Sequence, residues 1–239
     1  MNNGLISTQG LTKKFGGHTA VSTLDLTISS GEIRCLIGPN GAGKSTALAL
    51  LSGIAKPTSG HILYKGRQIE GMALHERARL GIGVKFQIPA IFPDLSVHQN
   101  LQIALRGRFA GDTLHREIAE RLAFLDLKSQ AQRRAGELSH GQKQWLELGL
   151  AIGCEPDLLL LDEPTAGMTQ DETKRTGDLL LALNRTGMTI VAVEHDTRFV
   201  KQIAHCVSVL HLGHLFCEGS VEKVMRDERV ADIYFGKAS

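Results

Sequence analysis

The sequence predicts an α/β chain: a phosphate-loop core on a mainly parallel sheet, an N-terminal antiparallel β subdomain and an inserted α-helical subdomain. Three observations carry that expectation. Largely apolar runs at 33–37, 158–161 and 189–193 are each followed by a helical pattern, which is how parallel strands are connected. Residues 5–12 and 19–28 alternate partially, as half-buried strands do. From Leu105 to Gly136 strand-type runs disappear, and apolar residues recur at helical spacing among charges. Length agrees: 239 residues suffice for one large α/β domain, or for a core with one inserted subdomain.

In chain order, the first two strands join through Phe15, Gly16 and Gly17, and residues 29–32 turn into the strand at 33–37. A helix with apolar positions from Ala47 to Leu51 follows. Residues 57–60 read as a turn, 61–69 as a hairpin around Lys65 and Gly66, and 73–79 as a short charged helix. A strand is expected at 82–86, and Pro89 and Pro93 then mark a loop. Ser96 caps a helix with Val97, Leu101 and Leu105 on one face, and Ile118, Leu122 and Leu125 predict another over 116–127. Later helices are expected at about 139–153, at 170–184 and, capped by Asp196, at 197–203. A strand pair at 206–212 and 214–217 and a last helix at 221–225 close the chain.

The chemistry gathers at residues 38–46, which match G-x-x-x-x-G-K-[ST] at Gly38, Gly43, Lys44 and Ser45, between a strand and a helix. Small residues there bring backbone N–H groups around phosphates, and the helix N-terminus adds its positive dipole end. The motif predicts a nucleoside triphosphate site in which Lys44 reaches the β- and γ-phosphates and the Ser45 hydroxyl ligates Mg²⁺.

Three strands end in polar residues: Gln87, the pair Asp162 and Glu163, and His195. Ligands of open parallel sheets sit beyond the carboxyl ends of the strands, so these groups are expected to converge on the phosphate loop. Asp162, behind four leucines, suits Mg²⁺ directly or through water, and Glu163 suits deprotonation of the attacking water. His195 on its own reads as an ordinary strand-end histidine. Phe15 stands open between stacking on a purine base and stapling the small sheet. Ser139, His140, Gly141 and Gln142 open a helix and make a second anion-binding tip. One nucleotide loop and one separate tip imply ATP sandwiched between two chains.

A net charge of +2 argues against a general nucleic-acid clamp. Cys35, Cys154, Cys206 and Cys217 form no C-x-x-C pair and lie in or beside apolar runs, so they are expected to be buried free thiols. No N-terminal signal pattern is read, and no apolar run approaches the roughly 18 residues that span a bilayer.

Taken together, the motifs resemble those of the nucleotide-binding subunit of an ABC transporter, over essentially the whole chain. Residues 38–46 match the Walker A motif, Gln87 the Q-loop, 138–142 the signature, 158–163 Walker B and His195 the switch histidine. The resemblance implies a P-loop ATPase core over 1–88 and 140–239, and a helical subdomain over 89–139. It implies ATP and Mg²⁺ as cofactors. ATP is then bound by Phe15, Gly38, Asn40, Gly41, Gly43, Lys44, Ser45 and Thr46, with Phe15 on the adenine. Ser45, Gln87 and Asp162 hold Mg²⁺; Glu163 is the catalytic base, assisted by His195 and Gln87. Ser139, Gly141 and Gln142 touch the ATP of the opposite chain. Two departures stand out: His140 where the family usually has glycine, and Thr169 where its D-loop aspartate is common.

Gly81, Ile82 and Gly83 running into Phe86 and Gln87 resemble branched-chain and hydrophobic amino acid importers. Residues 139–147 and 166–169 look most like urea importer ATPase subunits. The implied function is an importer ATPase for a small polar solute, urea or short-chain amides, with branched-chain amino acids as the alternative. The implied partners are a second ATPase subunit, non-identical or, in isolation, another copy of this chain, together with two transmembrane permease subunits and, indirectly, a secreted solute-binding protein, with no nucleic acid. The implied place is the cytoplasmic face of the inner membrane, as a peripheral subunit. A non-transport ABC ATPase acting on nucleic acid or ribosomes is the reading from another class; it calls for tandem domains or basic extensions, which this sequence lacks.

Overall fold

The computed structural model describes residues 4–85 and 91–235. Among them, ten strands run in chain order as β1 (Ile6–Phe15), β2 (His18–Ile28), β3 (Ile33–Ile37), β4 (Ser59–Tyr64), β5 (Arg67–Gln68), β6 (Ile82–Lys85), β7 (Leu158–Asp162), β8 (Thr189–Val193), β9 (Cys206–His211) and β10 (His214–Gly219). The helices are α1 (Lys44–Ser52), α2 (Leu74–Arg79), α3 (Val97–Leu105), α4 (Gly111–Phe124), α5 (His140–Ala151), α6 (Gln170–Arg185), α7 (Thr197–Ile203), α8 (Val221–Met225) and α9 (Glu228–Phe235).

The strands form two sheets. A four-stranded antiparallel sheet has the order β2-β1-β4-β5, and a six-stranded sheet the order β10-β9-β3-β8-β7-β6. All neighbours in the larger sheet are parallel except the β9–β10 pair. The leucine run explains β7: Leu159 and Leu161 enter one apolar cluster while Leu158 and Leu160 enter the other, all fully buried. A strand covered on both faces has no solvent side, so its sequence need not alternate. Burying each such side chain contributes up to about 1.5–3 kcal/mol.

One cluster holds α1 and the small sheet against the large one, through residues such as Leu11, Val21, Leu48 and Ile62. The other packs helices on the opposite face and is continuous with α3 and α4. Val97, Leu101, Leu105, Ile118 and Leu122 meet Leu146 and Leu148 of α5 in that single cluster. Trp145, the only tryptophan, also lies on α5; its Nε1–H donates to Thr176 Oγ1 of α6 at 3.0 Å, and the Arg175 guanidinium stands 5.3 Å from the ring centroid.

Several expectations need correction. β1 continues to Phe15, so the turn is only Gly16 and Gly17, with Gly16 at φ 57°. α4 begins at Gly111, five residues before the expected start; its first turn holds the buried Leu114, one helical step before Ile118 on the same face. It ends at Phe124, where Asp126 turns the chain at φ 58°. The helix α8 does not close the described chain; α9 follows it, with Val230, Ile233 and Tyr234 at helical spacing behind a charged start. Of the four cysteines only Cys35 is buried; Cys154 is exposed and the other two are half-buried. Among the described residues no helix is long and apolar enough to cross a membrane.

Candidate functional site

The phosphate loop owes its path to glycine. Gly38 (φ 149°) and Gly43 (φ 97°) adopt backbone conformations that L side chains rarely reach. Added Cβ atoms there would strike the carbonyl oxygens of Leu210 and Ala20. Gly43 is the N-cap of α1, so the amides of Lys44, Ser45 and Thr46 are helix N-terminal groups without intrahelical acceptors. They face a cavity of about 370 Å³ lined by the loop, by Phe15 and by Glu163. Asn40, Gly41, Gly43, Lys44, Ser45 and Thr46 all contribute to its wall.

Lys44 is 9% exposed, and its Nζ donates to the carbonyls of Gly38 at 2.7 Å and Pro39 at 3.0 Å. Burial lowers its pKa, against the opposing pull of Glu163 and Asp162. The Ser45 hydroxyl donates to Asp162 Oδ1 at 3.2 Å. Burial raises the pKa of Asp162, while the bond from Ser45 works the other way. A hydroxyl and a carboxylate at one point make a hard-oxygen pair, which suits Mg²⁺ completed by phosphate and water. Among the described residues no cluster of three or more His, Cys, Asp or Glu side chains offers an all-protein metal cage.

Glu163 sits just past β7 at φ 46°, its N–H donating to Val193 O at 3.0 Å. Left-handed backbone costs an L residue about 1–2 kcal/mol, and such strain collects at working sites. The carboxylate Oε1 is 3.8 Å from His195 Nδ1. Phe15 is 54% exposed on the cavity rim, with Lys13 Nζ 4.9 Å from its ring centroid. That exposure disfavours a sheet staple and leaves the ring open to a planar partner. Gln87 lies outside the described residues.

Ser139, Gly141 and Gln142 do not line the cavity. Ser139 is the N-cap of α5: its Oγ accepts from Gln142 N at 3.2 Å, and Gln142 Oε1 accepts from Ser139 N at 3.1 Å. Gly141 packs so closely on Glu172 of α6 that a Cβ would collide with its carboxylate. Both family departures have structural partners. His140 reaches the Ala166 carbonyl, and Thr169 caps α6, exchanging hydrogen bonds with Glu172 at 2.9–3.3 Å.

Some participants escaped the sequence reading. His18 and Ala20 line the cavity through β2. Arg77, fully buried, donates to the carbonyls of Leu50 at 2.6 Å and Leu51 at 2.9 Å at the end of α1, and to Met72 O at 3.1 Å. Lys85, at the end of β6, is paired at 3.6 Å with Glu147 of α5, both nearly without exposure. Only partners distant in sequence give these residues their meaning. A larger cavity, about 570 Å³, lies between Phe124, Ile152, Asp157 and Met188. It takes no residue from the phosphate loop, whereas the smaller cavity is lined by it.

The sequence pattern of the family described as "ABC transporter" matches residues 21–166. The high-affinity branched-chain amino acid transport ATP-binding protein LivG of Escherichia coli K12 is 34% identical over an alignment of 256 positions that covers all of both chains. The ADP conformation of MJ1267, an ATP-binding cassette of an ABC transporter, superposes with a TM-score of 0.87 at 27% identity, over 98% of this chain and 99% of that one. A dimeric, post-hydrolysis structure of the cassette MJ0796 bound to ADP and Pi gives a TM-score of 0.81 at 27% identity, over 90% and 98%.

Proposed function

This chain belongs to the ABC transporter family and is an ATP-hydrolysing cassette, and on that premise we propose that it energises the import of a small solute across the inner membrane. The observation that carries the reading is the meeting of Lys44, Ser45 and Glu163 at one cavity, with Asp162 bonded to Ser45 behind it and the Ser139 helix tip absent. In the proposed mechanism Lys44 leaves the Gly38 and Pro39 carbonyls for the β- and γ-phosphates, and the amides of Gly41, Gly43, Ser45 and Thr46 hold the phosphate oxygens. Gly38 and Asn40 shape the loop, and Phe15 stacks on the base. Ser45 and Asp162, with Gln87, would hold Mg²⁺, which supplies charge neutralisation for the phosphates. Glu163 takes a proton from the attacking water, and His195, beside it, contacts the γ-phosphate.

A second ATPase subunit, non-identical or another copy of this chain, completes the site in this proposal: Ser139, Gly141 and Gln142 of one subunit face the ATP of its partner. Their absence from their own chain's cavity supports this. The core is assigned to 1–88 and 140–239 and the helical subdomain to 89–139. Phe92, 52% exposed, and Leu95, half-buried, sit beyond β6 where permease helices are proposed to dock. The chain would therefore sit as a peripheral subunit on two permeases, fed by a secreted binding protein.

For the solute, residues 139–147 and 166–169 favour urea or short-chain amides, whereas the likeness to LivG favours branched-chain amino acids at least as well. Uptake of labelled urea and labelled leucine by cells carrying the wild-type chain or Lys44→Ala decides between them. Loss of urea uptake alone supports the urea reading; loss of leucine uptake alone replaces it. Loss of neither removes import of both.

A further inference from the structure

Glu194 follows β8 and is fully buried, in a position where an apolar side chain would ordinarily stand. Its backbone N–H donates to Leu36 O at 3.2 Å, which extends the pairing of β8 with β3 by one residue. The carboxylate faces two loops at once. Oε1 accepts from Thr165 N at 3.2 Å and from Thr165 Oγ1 at 2.7 Å, while Oε2 accepts from the His195 N–H at 3.1 Å.

We propose that Glu194 is a positioning residue that holds Glu163 and His195 in register for hydrolysis. The inference rests on the reading of Glu163 as the base. Glu163 is kept at φ 46° by a clamp on either side: its own N–H is tied to Val193 O, and Thr165, two residues on, is tied to Glu194. Release of Thr165 frees residues 163–165 to relax into an ordinary backbone conformation, which carries the Glu163 carboxylate away from its place. The bond to the His195 N–H fixes the peptide from which the imidazole projects, 3.8 Å from Glu163. Only a group with two acceptor oxygens serves both loops, because an amide offers one acceptor and one donor. Burial raises the pKa of Glu194, the cost of keeping a carboxylate there, and the three donors oppose that shift.

The test uses the full chain, its ATPase rate and its KM for ATP. Glu194→Gln is expected to lower kcat by about 10²-fold, the range for misplacing a catalytic group by an ångström, with KM within about twofold. In a Glu163→Gln background the same change is expected to lower the residual rate by well under 10²-fold, because one of the two groups it positions is already gone and only His195 remains. Thr165→Val, which removes only the hydroxyl bond, is expected to show a smaller loss of the same kind and stands in where Glu194→Gln does not fold. An unchanged kcat in both variants, or a full multiplicative loss on top of Glu163→Gln, would overturn the inference. A wild-type chain without ATPase activity would instead sink the reading beneath it, and this inference as well.

Discussion

The Nε2 of His140 donates to the Ala166 carbonyl oxygen at 2.8 Å, so the tip of α5 is tied to the loop between β7 and α6 of the same chain. The tautomer follows from the partner, since a carbonyl only accepts. The unusual histidine at the signature therefore turns toward its own protein and not toward a nucleotide.

His140→Gly removes one hydrogen bond at an exposed edge, worth about 1 kcal/mol. ATP binding by dilute protein is expected to be unchanged, and turnover to fall by no more than about fivefold. Steady-state hydrolysis at saturating ATP checks this. A hundredfold loss would give His140 a direct part in the chemistry.

Glu163→Gln keeps the shape of the base and removes its proton affinity. Hydrolysis is expected to fall roughly 10²–10⁴-fold with nucleotide binding retained. Size-exclusion chromatography should then show dimers accumulating with ATP. Normal turnover would take Glu163 out of the mechanism.

Lys44→Ala removes a cation that, among the described residues, donates to two carbonyl oxygens. Hydrogen bonds to charged groups contribute about 1.5–3 kcal/mol, so Kd for ATP is expected to rise about ten- to a hundredfold by calorimetry. Chelating Mg²⁺ should halt hydrolysis in the wild-type chain by a separate route. Undiminished affinity in Lys44→Ala would move the phosphate site elsewhere.

Gly141→Asp tests the two-chain site, but the contact with Glu172 adds a second effect. A side chain there must push the Glu172 carboxylate aside and disturb the Thr169 cap of α6, at about 1–3 kcal/mol for overpacking. The melting temperature is expected to drop by several degrees, dimerisation with ATP to be lost, and ATP binding by the monomer to stay near normal. Impaired binding in the dilute, folded monomer would mean that α5 contacts its own chain's nucleotide.

Arg77→Met removes a donor from the carbonyls of Leu50 and Leu51 at the end of the phosphate-loop helix and of Met72; Leu50 O keeps a long bond from Gly53 N, at 3.4 Å. Although burial lowers the Arg77 pKa to about 10, the cation persists at neutral pH. Orphaned buried acceptors cost about 1–3 kcal/mol each, enough to lower Tm by roughly 5 °C or more in a chain of this size. Differential scanning calorimetry reads this directly, and an unchanged Tm would deny Arg77 its anchoring part.

How much was legible depends on how local each signal is. The bounds of β3, β8, α7 and α8 coincide with those read from the sequence, since buried apolar runs and caps such as Asp196 are written in adjacent residues. The phosphate loop and Asp162 were legible for the same reason. Arg77 was not: its role comes from carbonyls 26 and 27 residues away, and a charge on a short helix reads as solvated. The pairing of Lys85 with Glu147 was equally hidden, because burial of both ends is set by α5 crossing β6. The start of α4 and all of α9 carry only sparse apolar residues at helical spacing, Leu114 before Ile118 and Val230 before Ile233 and Tyr234, and such short repeats beside charges are weak signals.

Trp145 has an optical consequence. It is the chain's only tryptophan, so the whole indole emission of the protein comes from the seam between α5 and α6. Its hydrogen bond to Thr176 and the guanidinium above its ring tune that emission together. The seam lies just behind the Ser139 tip, so any shift of α5 against α6 would change both tuning contacts at once. The unlabelled protein thus carries its own fluorescent gauge of the α5–α6 seam, with no dye and no other indole to mask it.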